Sequence, residues 1–422
     1  MKVNVKGHIR DLLAFRGLVP KRQKRIARAS AEPIGLHPIN RVAKQLHPVS
    51  QHLVIGSIRD ETETARTFRL VADRAAGTQQ PAYFRAGQYL SLKVEVDGTR
   101  ITRPYSISSA PHEALGADGF YDITIRRELE GFLTPHIWRH WDVGTKVQAS
   151  GPCGFFYHEP LRDADMIVGL AGGSGITPFR SVAREIAAGQ TAAGHSAAEL
   201  LLLYGSADEN DILFYEEFQE LEQQTEGKVR VVHVLSCDEV SLQGSILGGS
   251  FRAGSKDCEQ GFITAGVIRR YADVDNSTFF VCGPQAMYRF VESELATLDL
   301  PPRRIRREVR GEVKDVAPSA GYPQELAGQT FRVKVRMGGL TSEVPAKATE
   351  TILVALERAN LAPPSQCRSG ECGFCRAQLV SGDVYVYPEN DGRRAADRQF
   401  GYIHPCSSYP ISALEVVVPR DV

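Results

Sequence analysis

Four cysteines near the C-terminus, Cys367, Cys372, Cys375 and Cys406, stand in the pattern C-x4-C-x2-C followed by a long gap and a last C. Thiolates at this plant-type spacing are a ligand set for a [2Fe–2S] cluster. Such a cluster carries one electron at a time and makes no bonds itself. The rest of the chain must therefore supply an electron source and face an electron sink. The loop text CRSGECGFC suits the charge of such a group. Two irons and two sulfides held by thiolates are net negative, so backbone N–H groups must turn inward. Gly370 and Gly373 let the backbone wrap closely, and Arg368 can lie over the loop as a compensating cation. Zinc is the alternative. It is disfavoured because zinc sites more often show two C-x2-C pairs, whereas here one pair is joined by two outlying cysteines. A disulfide framework is weaker still, with eight cysteines in 422 residues and no signal-peptide pattern.

A second set of residues suits a flavin. RPYSIS at 103–108, GFLT at 131–134 and GPCGFF at 151–156 follow one another. Arg103 can neutralise a pyrophosphate, Tyr105 can stack on an isoalloxazine, and the Ser106 hydroxyl can reach its polar N5 edge. Gly131 and Thr134 open what reads as a helix, whose free N–H groups suit phosphate. Taken alone, Tyr105 is an ordinary strand aromatic; the ordered set gives it its meaning. Around these motifs run short alternating segments, HLVIGSIRDET, TFRLVAD, QYLSLKVEVDG and YDITIRREL, separated by turn signals such as Asp97–Gly98. Regular short strands of this kind predict a small antiparallel barrel over residues 48–160.

Over residues 161–310 the pattern changes. MIVGLA at 166–171 is a fully apolar run, as a buried parallel strand requires. GGSGITP at 172–178 and the helical text FRSVAREIAAG complete a strand, a glycine-rich turn and a helix start, which together suit a pyrophosphate. The turn lacks the G-x-G-x-x-G spacing, so the motif alone does not assign a dinucleotide. LLLLYGS at 200–206 and TFFVCGPQAM at 278–287 are further buried strands of an α/β parallel-sheet nucleotide domain. In YGSADEND at 204–211, Ala207, Asp208 and Glu209 stand where a 2′-phosphate wants Arg or Lys. Carboxylates repel that phosphate and accept from a free ribose hydroxyl. The text therefore favours NADH, with NADPH as the alternative.

The series R-x-Y-S, G-x-x-[ST] and G-P-x-G-x-F, followed by the glycine-rich turn and the cluster cysteines, resembles the ferredoxin–NADP⁺ reductase superfamily with a ferredoxin fused at its C-terminus. The resemblance covers about residues 50–422 and includes the reductases of oxygenases and of hybrid-cluster proteins. It implies that Thr134 binds flavin pyrophosphate and that Gly172, Gly173, Ser174, Gly175 and Thr177 cradle the nicotinamide dinucleotide. Thr177 and Pro178 would lie beside the flavin, Cys282, Gly283 and Pro284 near the nicotinamide, and Glu308 would be the acidic residue near the flavin. Ser106, Cys282 and Glu308 are then the candidate catalytic residues, although no nucleophile or general base is required. Relatives usually carry an aromatic after that acid, where this chain has Val309. The GPCGFF text resembles the FAD-binding branch, so FAD is expected over FMN. For Cys153, Cys237 and Cys258 the expected role is that of small buried apolar residues.

The remaining elements complete a multidomain plan. Residues 311–329, rich in Pro, Gly and Ser, read as a linker. FRVKVRMGGLTSEVPA reads as a hairpin on a Gly-Gly turn, ETILVALERANL as a helix, and AQLVSGDVYV and LEVVVPRDV as closing strands of a β-grasp ferredoxin domain over 330–422. Arg376, Arg393 and Arg394 read as a solvated face near the cluster loop, with docking of an acidic partner as the alternative. Residues 1–47 form a basic extension. The first fifty residues hold eleven Lys/Arg against two acids, net +9, in a chain whose total is zero. Ile9, Leu12, Leu13, Arg16 and Val19 predict a short amphipathic helix ended by Pro20. An arm wrapping the core through Leu12, Leu13, Ile34 and Leu36 is the first reading. Docking to an acidic protein and contact with an anionic membrane surface follow. No apolar run approaches the length of a bilayer span, and nothing supports nucleic-acid binding. The sequence thus predicts a cytoplasmic reductase that takes an electron pair from NADH and passes electrons singly through a flavin and a [2Fe–2S] cluster. The terminal acceptor would be a protein, either an oxygenase or another redox enzyme. The input subunit of a larger redox complex and a redox-sensing protein are the alternatives.

Overall fold

The computed structural model describes residues 9–29, 38–46, 48–189, 198–236, 258–308, 311–313 and 315–419. Val309, Cys237, Ile34 and Leu36 lie outside the described residues. The chain divides into two compact units, Met1–Gln45 and Leu46–Val422. The first carries α1 (Ile9–Ala27) and all but the last residue of α2 (Pro38–Leu46). Helix α1 does not stop at Pro20 but runs through it. A proline removes one backbone donor at a cost of about 3 kcal/mol, yet the Lys, Arg and Gln residues that follow are good helix formers and carry the helix on. Leu13 is 63% exposed, and Leu18, Val19 and Ile26 are exposed as well. Among the described residues, no helix is long and apolar enough to cross a membrane.

The second unit begins with strands β1 (Gln51–Thr62), β2 (Ala65–Ala72), β3 (Tyr89–Val96), β4 (Thr99–Ser106) and β5 (Phe120–Arg126), then helix α3 (Thr134–His140) and strand β6 (Lys146–Cys153). They form one antiparallel sheet in the order β4-β3-β6-β1-β2-β5. A bridge between Ile107 and Ile123 joins its two ends, and the sheet closes as a barrel. Alternation drives the closure: Leu53, Ile55, Phe68, Leu70, Leu90, Leu92 and Ile123 all point into one core.

Next come β7 (Met166–Gly172), α4 (Thr177–Ala187), β8 (Glu199–Ser206), α5 (Tyr215–Gln224), β9 (Val229–Leu235), β10 (Cys258–Gln260), α6 (Ala265–Tyr271), β11 (Ser277–Cys282), α7 (Gln285–Ala296) and β12 (Ile305–Arg307). The sheet is parallel, in the order β10-β9-β8-β7-β11-β12. Strand β7 has β8 on one side and β11 on the other, so the strand order reverses there. A crevice opens at the carboxyl ends of strands at such a switch point. Buried polar contacts fix this layer to the barrel. Arg180 of α4, 1% exposed, donates to Glu217 and to the Ser108 carbonyl, and Ser181 donates to the Ser109 carbonyl at 2.6 Å.

The last third holds β13 (Thr330–Met337), β14 (Leu340–Lys347), α8 (Ile352–Arg358), β15 (Ala377–Ser381), β16 (Val384–Val386), α9 (Ala395–Gln399), β17 (Tyr402–Ile403), β18 (Ser408–Pro410) and β19 (Leu414–Val418). Five strands form a mixed sheet, β14-β13-β19-β15-β17, which α8 covers. The turn Gly338–Gly339 takes positive φ at both residues, as a tight hairpin requires. AQLVSGDVYV, read as one strand, is two. Gly382 at φ +87° breaks it, and the second half pairs with β18 in a separate ribbon. Residues 311–329 are not a free tether. Val313, Val316 and Tyr322 pack on Tyr387 and Tyr409 as a buried cluster, because a Pro/Gly-rich text shows irregular backbone but not what its few apolar side chains touch.

Candidate active site and cluster loop

The ends of β4 and β5 and the carboxyl ends of β7 and β11 meet around a cleft of about 710 Å³. Tyr105 and Ser106 line it from the barrel. Gly172, Gly173, Ser174, Gly175, Thr177, Cys282, Gly283 and Pro284 line it from the parallel sheet. At its floor Ser106 Oγ donates to Glu308 Oε1 and Cys282 Sγ donates to Glu308 Oε2, both at 2.6 Å. Glu308 is 6% exposed, held by its N–H on the Val281 carbonyl and by Tyr288 OH on its own carbonyl. Burial raises the Glu308 carboxyl above the ordinary carboxylate range, despite the hydrogen bonds that favour its ionised form. Burial, then the neighbouring carboxylate, pushes the Cys282 thiol well up, so it stays protonated and donates.

The backbone of the cleft is shaped by glycine. A Cβ on Gly175 would sit 2.2 Å from the Cys282 carbonyl oxygen, and Gly173 lies at φ +51°. Close contact between the 173–176 turn and the 282–284 turn therefore requires that position 175 carry no side chain. The Thr177 hydroxyl donates to the Ser174 carbonyl and locks the start of α4. The turn lines the cleft and leads into the start of α4, and a glycine-rich turn at a helix start is backbone of the kind that suits a pyrophosphate.

Other expected residues lie elsewhere. Arg103 does not line this cleft. Its Nη1 donates to the Thr102 carbonyl, and the guanidinium faces Glu312 at 3.7 Å and Glu357 at 3.9 Å. Thr134 closes its own loop, accepting from Glu128 N–H and donating to Glu128 O. Gly131 lines a second, neighbouring cleft with Phe132 and His136. The missed residue is Arg126, at the end of β5. It lines the main cleft, pairs through Nη1 with Asp211, and leaves Nε and Nη2 buried with no partner. A buried guanidinium with open donors fits an anionic ligand. The only signal in the sequence was a basic pair, Arg126–Arg127, at the exit of an apolar strand. In the segment after β8, Ala207 is exposed. Asp208 caps the next turn through Asn210 N–H, Glu209 is buried, and Asp211 is occupied by Arg126 and Thr64.

The four expected cluster cysteines come together, three from the loop after α8 and Cys406 from the turn before β18. Cys375 and Cys406 sulfurs lie 3.4 Å apart, and Cys367 is in hydrogen-bonding reach of Cys372 and Cys406. Backbone N–H groups of Ser369 and Cys372 point at Cys367, that of Gly370 at Cys406 and that of Phe374 at Cys372. Amides aimed at sulfurs on a glycine-bearing loop suit a negatively charged cluster. Among the described residues no group is arranged as a ligand set for a single metal ion; a two-iron cluster divides its ligands into two pairs. Arg368 is buried at the loop rather than exposed on it. It is 1% exposed, with Nη1 on Glu357 at 2.5 Å and Nη2 on Glu312. Arg376 pairs with Asp397 and Arg393 with Asp391. Cys258 is buried with its thiol donating to the Glu259 carbonyl at 4.0 Å, and half-buried Cys153 accepts from Gln366 Nε2 at 2.8 Å.

Comparison with known proteins assigns all three regions. The Oxidoreductase FAD-binding domain family matches residues 48–158, the Oxidoreductase NAD-binding domain family 170–293, and the 2Fe-2S iron-sulfur cluster binding domain family 335–410. The chain thus carries the FAD-binding, NAD-binding and 2Fe-2S domains of a ferredoxin reductase-type oxidoreductase. This reductase is 28% identical over 377 residues to the ferredoxin reductase component of 3-ketosteroid-9-alpha-monooxygenase from Mycobacterium tuberculosis, covering 86% of this chain and 95% of that one. It is 25% identical to the glycine betaine monooxygenase reductase subunit of Chromohalobacter salexigens, covering 84% and 92%. Its fold is similar to that of phthalate dioxygenase reductase, with a TM-score of 0.58 at 24% identity, over 88% of this chain and 98% of that one. It is therefore an oxidoreductase with FAD, nicotinamide-dinucleotide and [2Fe–2S] domains in one chain.

Proposed function

We propose that this reductase takes electrons from NADH and delivers them singly to the oxygenase component of a two-component oxygenase in the cytoplasm. The observation that supports this best is spatial. One cleft joins the ends of the barrel strands to the switch point of the parallel sheet, and the cluster loop packs on the same barrel. A flavin bound there accepts an electron pair and releases it in single steps. In this proposal Tyr105 and Ser106 hold the flavin ring, the 172–177 turn and Arg126 hold the dinucleotide phosphates, and Cys282 and Glu308 set the polar floor where the two rings meet. Cys367, Cys372, Cys375 and Cys406 hold the cluster. The oxygenase acceptor is inferred from relatives that are components of monooxygenases, and the cytoplasm from cysteines spaced as cluster ligands rather than as a disulfide framework.

The test is an anaerobic NADH titration of the holoprotein, followed by mixing with the oxygenase that co-purifies with it. Flavin absorbance should bleach first, cluster absorbance should follow, and both should recover when the oxygenase is added. Cys375→Ser should abolish cluster bleaching and transfer to the oxygenase while NADH-driven ferricyanide reduction continues. A cluster that stays oxidised while the flavin is fully reduced would overturn the proposal.

A further inference from the structure

Four charged side chains from separate stretches of chain meet between the flavin barrel and the cluster loop. Arg103 comes from β4, two residues before Tyr105. Glu312 comes from the segment that follows the nucleotide domain and also lines the main cleft. Glu357 comes from α8, and Arg368 stands in the cluster loop between Cys367 and Cys372. Each carboxylate faces both guanidiniums: Glu312 pairs with Arg368 and lies 3.7 Å from Arg103, while Glu357 lies 2.5 Å from Arg368 and 3.9 Å from Arg103. Arg368 is 1% and Glu357 4% exposed. Buried charges at this depth persist only when paired, and removing one partner leaves another stranded. The set is net neutral, with Arg368 Nε left without a hydrogen-bond partner, and its pairing holds only while barrel, connecting segment and ferredoxin domain are in contact.

An uncharged seam lies on the same side of the barrel. Ser91 Oγ of β3 donates to the Gln366 carbonyl at 3.1 Å, and the Gln366 amide donates to Cys153 Sγ of β6 at 2.8 Å. Both contacts end on the residue next to the first cluster cysteine. The connecting segment is itself fastened to the ferredoxin domain through Val313, Val316 and Tyr322, with Asn390 donating to the Gly311 carbonyl.

We propose that Arg103, Glu312, Glu357 and Arg368 form an interdomain clamp that holds the cluster loop on the flavin barrel, so that electrons cross from a fixed geometry rather than after a swing of the ferredoxin domain. These are positioning residues, and the inference rests on the reading of the chain as a flavin-to-cluster reductase. Electron tunnelling falls steeply with distance. A clamped pair transfers at a rate indifferent to solvent viscosity, whereas a loosened pair must wait for a diffusive return.

The experiment uses full-length holoprotein carrying Glu357→Gln, with iron and sulfide content measured first. NADH should reduce the flavin at the wild-type rate in anaerobic stopped flow. Flavin-to-cluster transfer should slow about tenfold, equivalent to about 1.4 kcal/mol, and should slow further with added glycerol, while the wild-type transfer ignores glycerol. Proteinase K should cut faster between residues 311 and 329 in the variant, a readout that needs no turnover, and Glu357→Asp should restore much of both. If Glu357→Gln loses its cluster, Ser91→Ala decides the matter: it leaves every charge and cysteine in place and should show the same glycerol dependence with a two- to threefold slowing. Wild-type transfer that slows with glycerol, or variants that transfer like wild type, would overturn the clamp alone. A wild-type flavin that NADH does not reduce would overturn the reductase reading instead.

Discussion

Gly175 offers a sharp test of how the cleft works. A Cβ there would lie 2.2 Å from the Cys282 carbonyl oxygen, 2.5 Å from its carbon and 2.7 Å from Gly283 N. All three are backbone atoms, so no rotamer change relieves the clash. In Gly175→Ala the turn after β7 and the turn after β11 must part by about 1 Å, and a misplacement of that size at a reacting centre can cost on the order of 100-fold in rate. Overpacking of this kind costs about 1–3 kcal/mol of stability, which a domain with this much buried core tolerates. The assay is anaerobic stopped flow at saturating and limiting NADH, following flavin absorbance. The expected result is flavin reduction slowed about 100-fold, or about 2.7 kcal/mol, with flavin-to-cluster transfer, started by flash photoreduction of the flavin while the cluster is oxidised, unchanged. Gly328→Ala is the control, since a Cβ there meets nothing within 4 Å. A Gly175→Ala protein that is folded and reduces its flavin at the wild-type rate would refute the idea that contact between these two turns sets the reacting geometry.

Two further outcomes are expected. Ala207→Arg places a cation after β8 at an exposed position, and should move kcat/KM toward NADPH by at least tenfold, measured with ferricyanide as acceptor; an unchanged ratio would show that the strand end does not meet the ribose. His233, 7% exposed between Tyr204 and Tyr215, has its pKa pushed down to about 4 by burial, so the unfolded state binds its proton first as pH falls. Its contribution is complete above about pH 6.5 and is lost between there and about pH 4, at roughly 1.4 kcal/mol per pH unit. Urea denaturation midpoints should fall across that window, and His233→Phe should flatten the slope.

Whatever depended on neighbours in sequence could be read from the sequence. The cysteine spacing, the glycine-rich turn after an apolar run and the Gly-Gly hairpin are local, because a metal cluster, a helix start and a tight turn each constrain a few consecutive residues. The alternation of β1 to β6 and the unbroken apolar runs of β7, β8 and β11 separated barrel from parallel sheet for the same reason. Only the tertiary structure decided which partner each charge would meet. Arg103 stands in a motif suited to phosphate but faces Glu312 and Glu357, which lie more than 200 residues away. Arg126 gained its place when β5 came alongside the loop holding Asp211. Residues 311–329 look like a tether by composition, yet Val313, Val316 and Tyr322 fasten them to the ferredoxin domain. Composition reports backbone freedom in an isolated chain; docking is set by surfaces that exist only once the barrel, the parallel sheet and the β-grasp domain have folded.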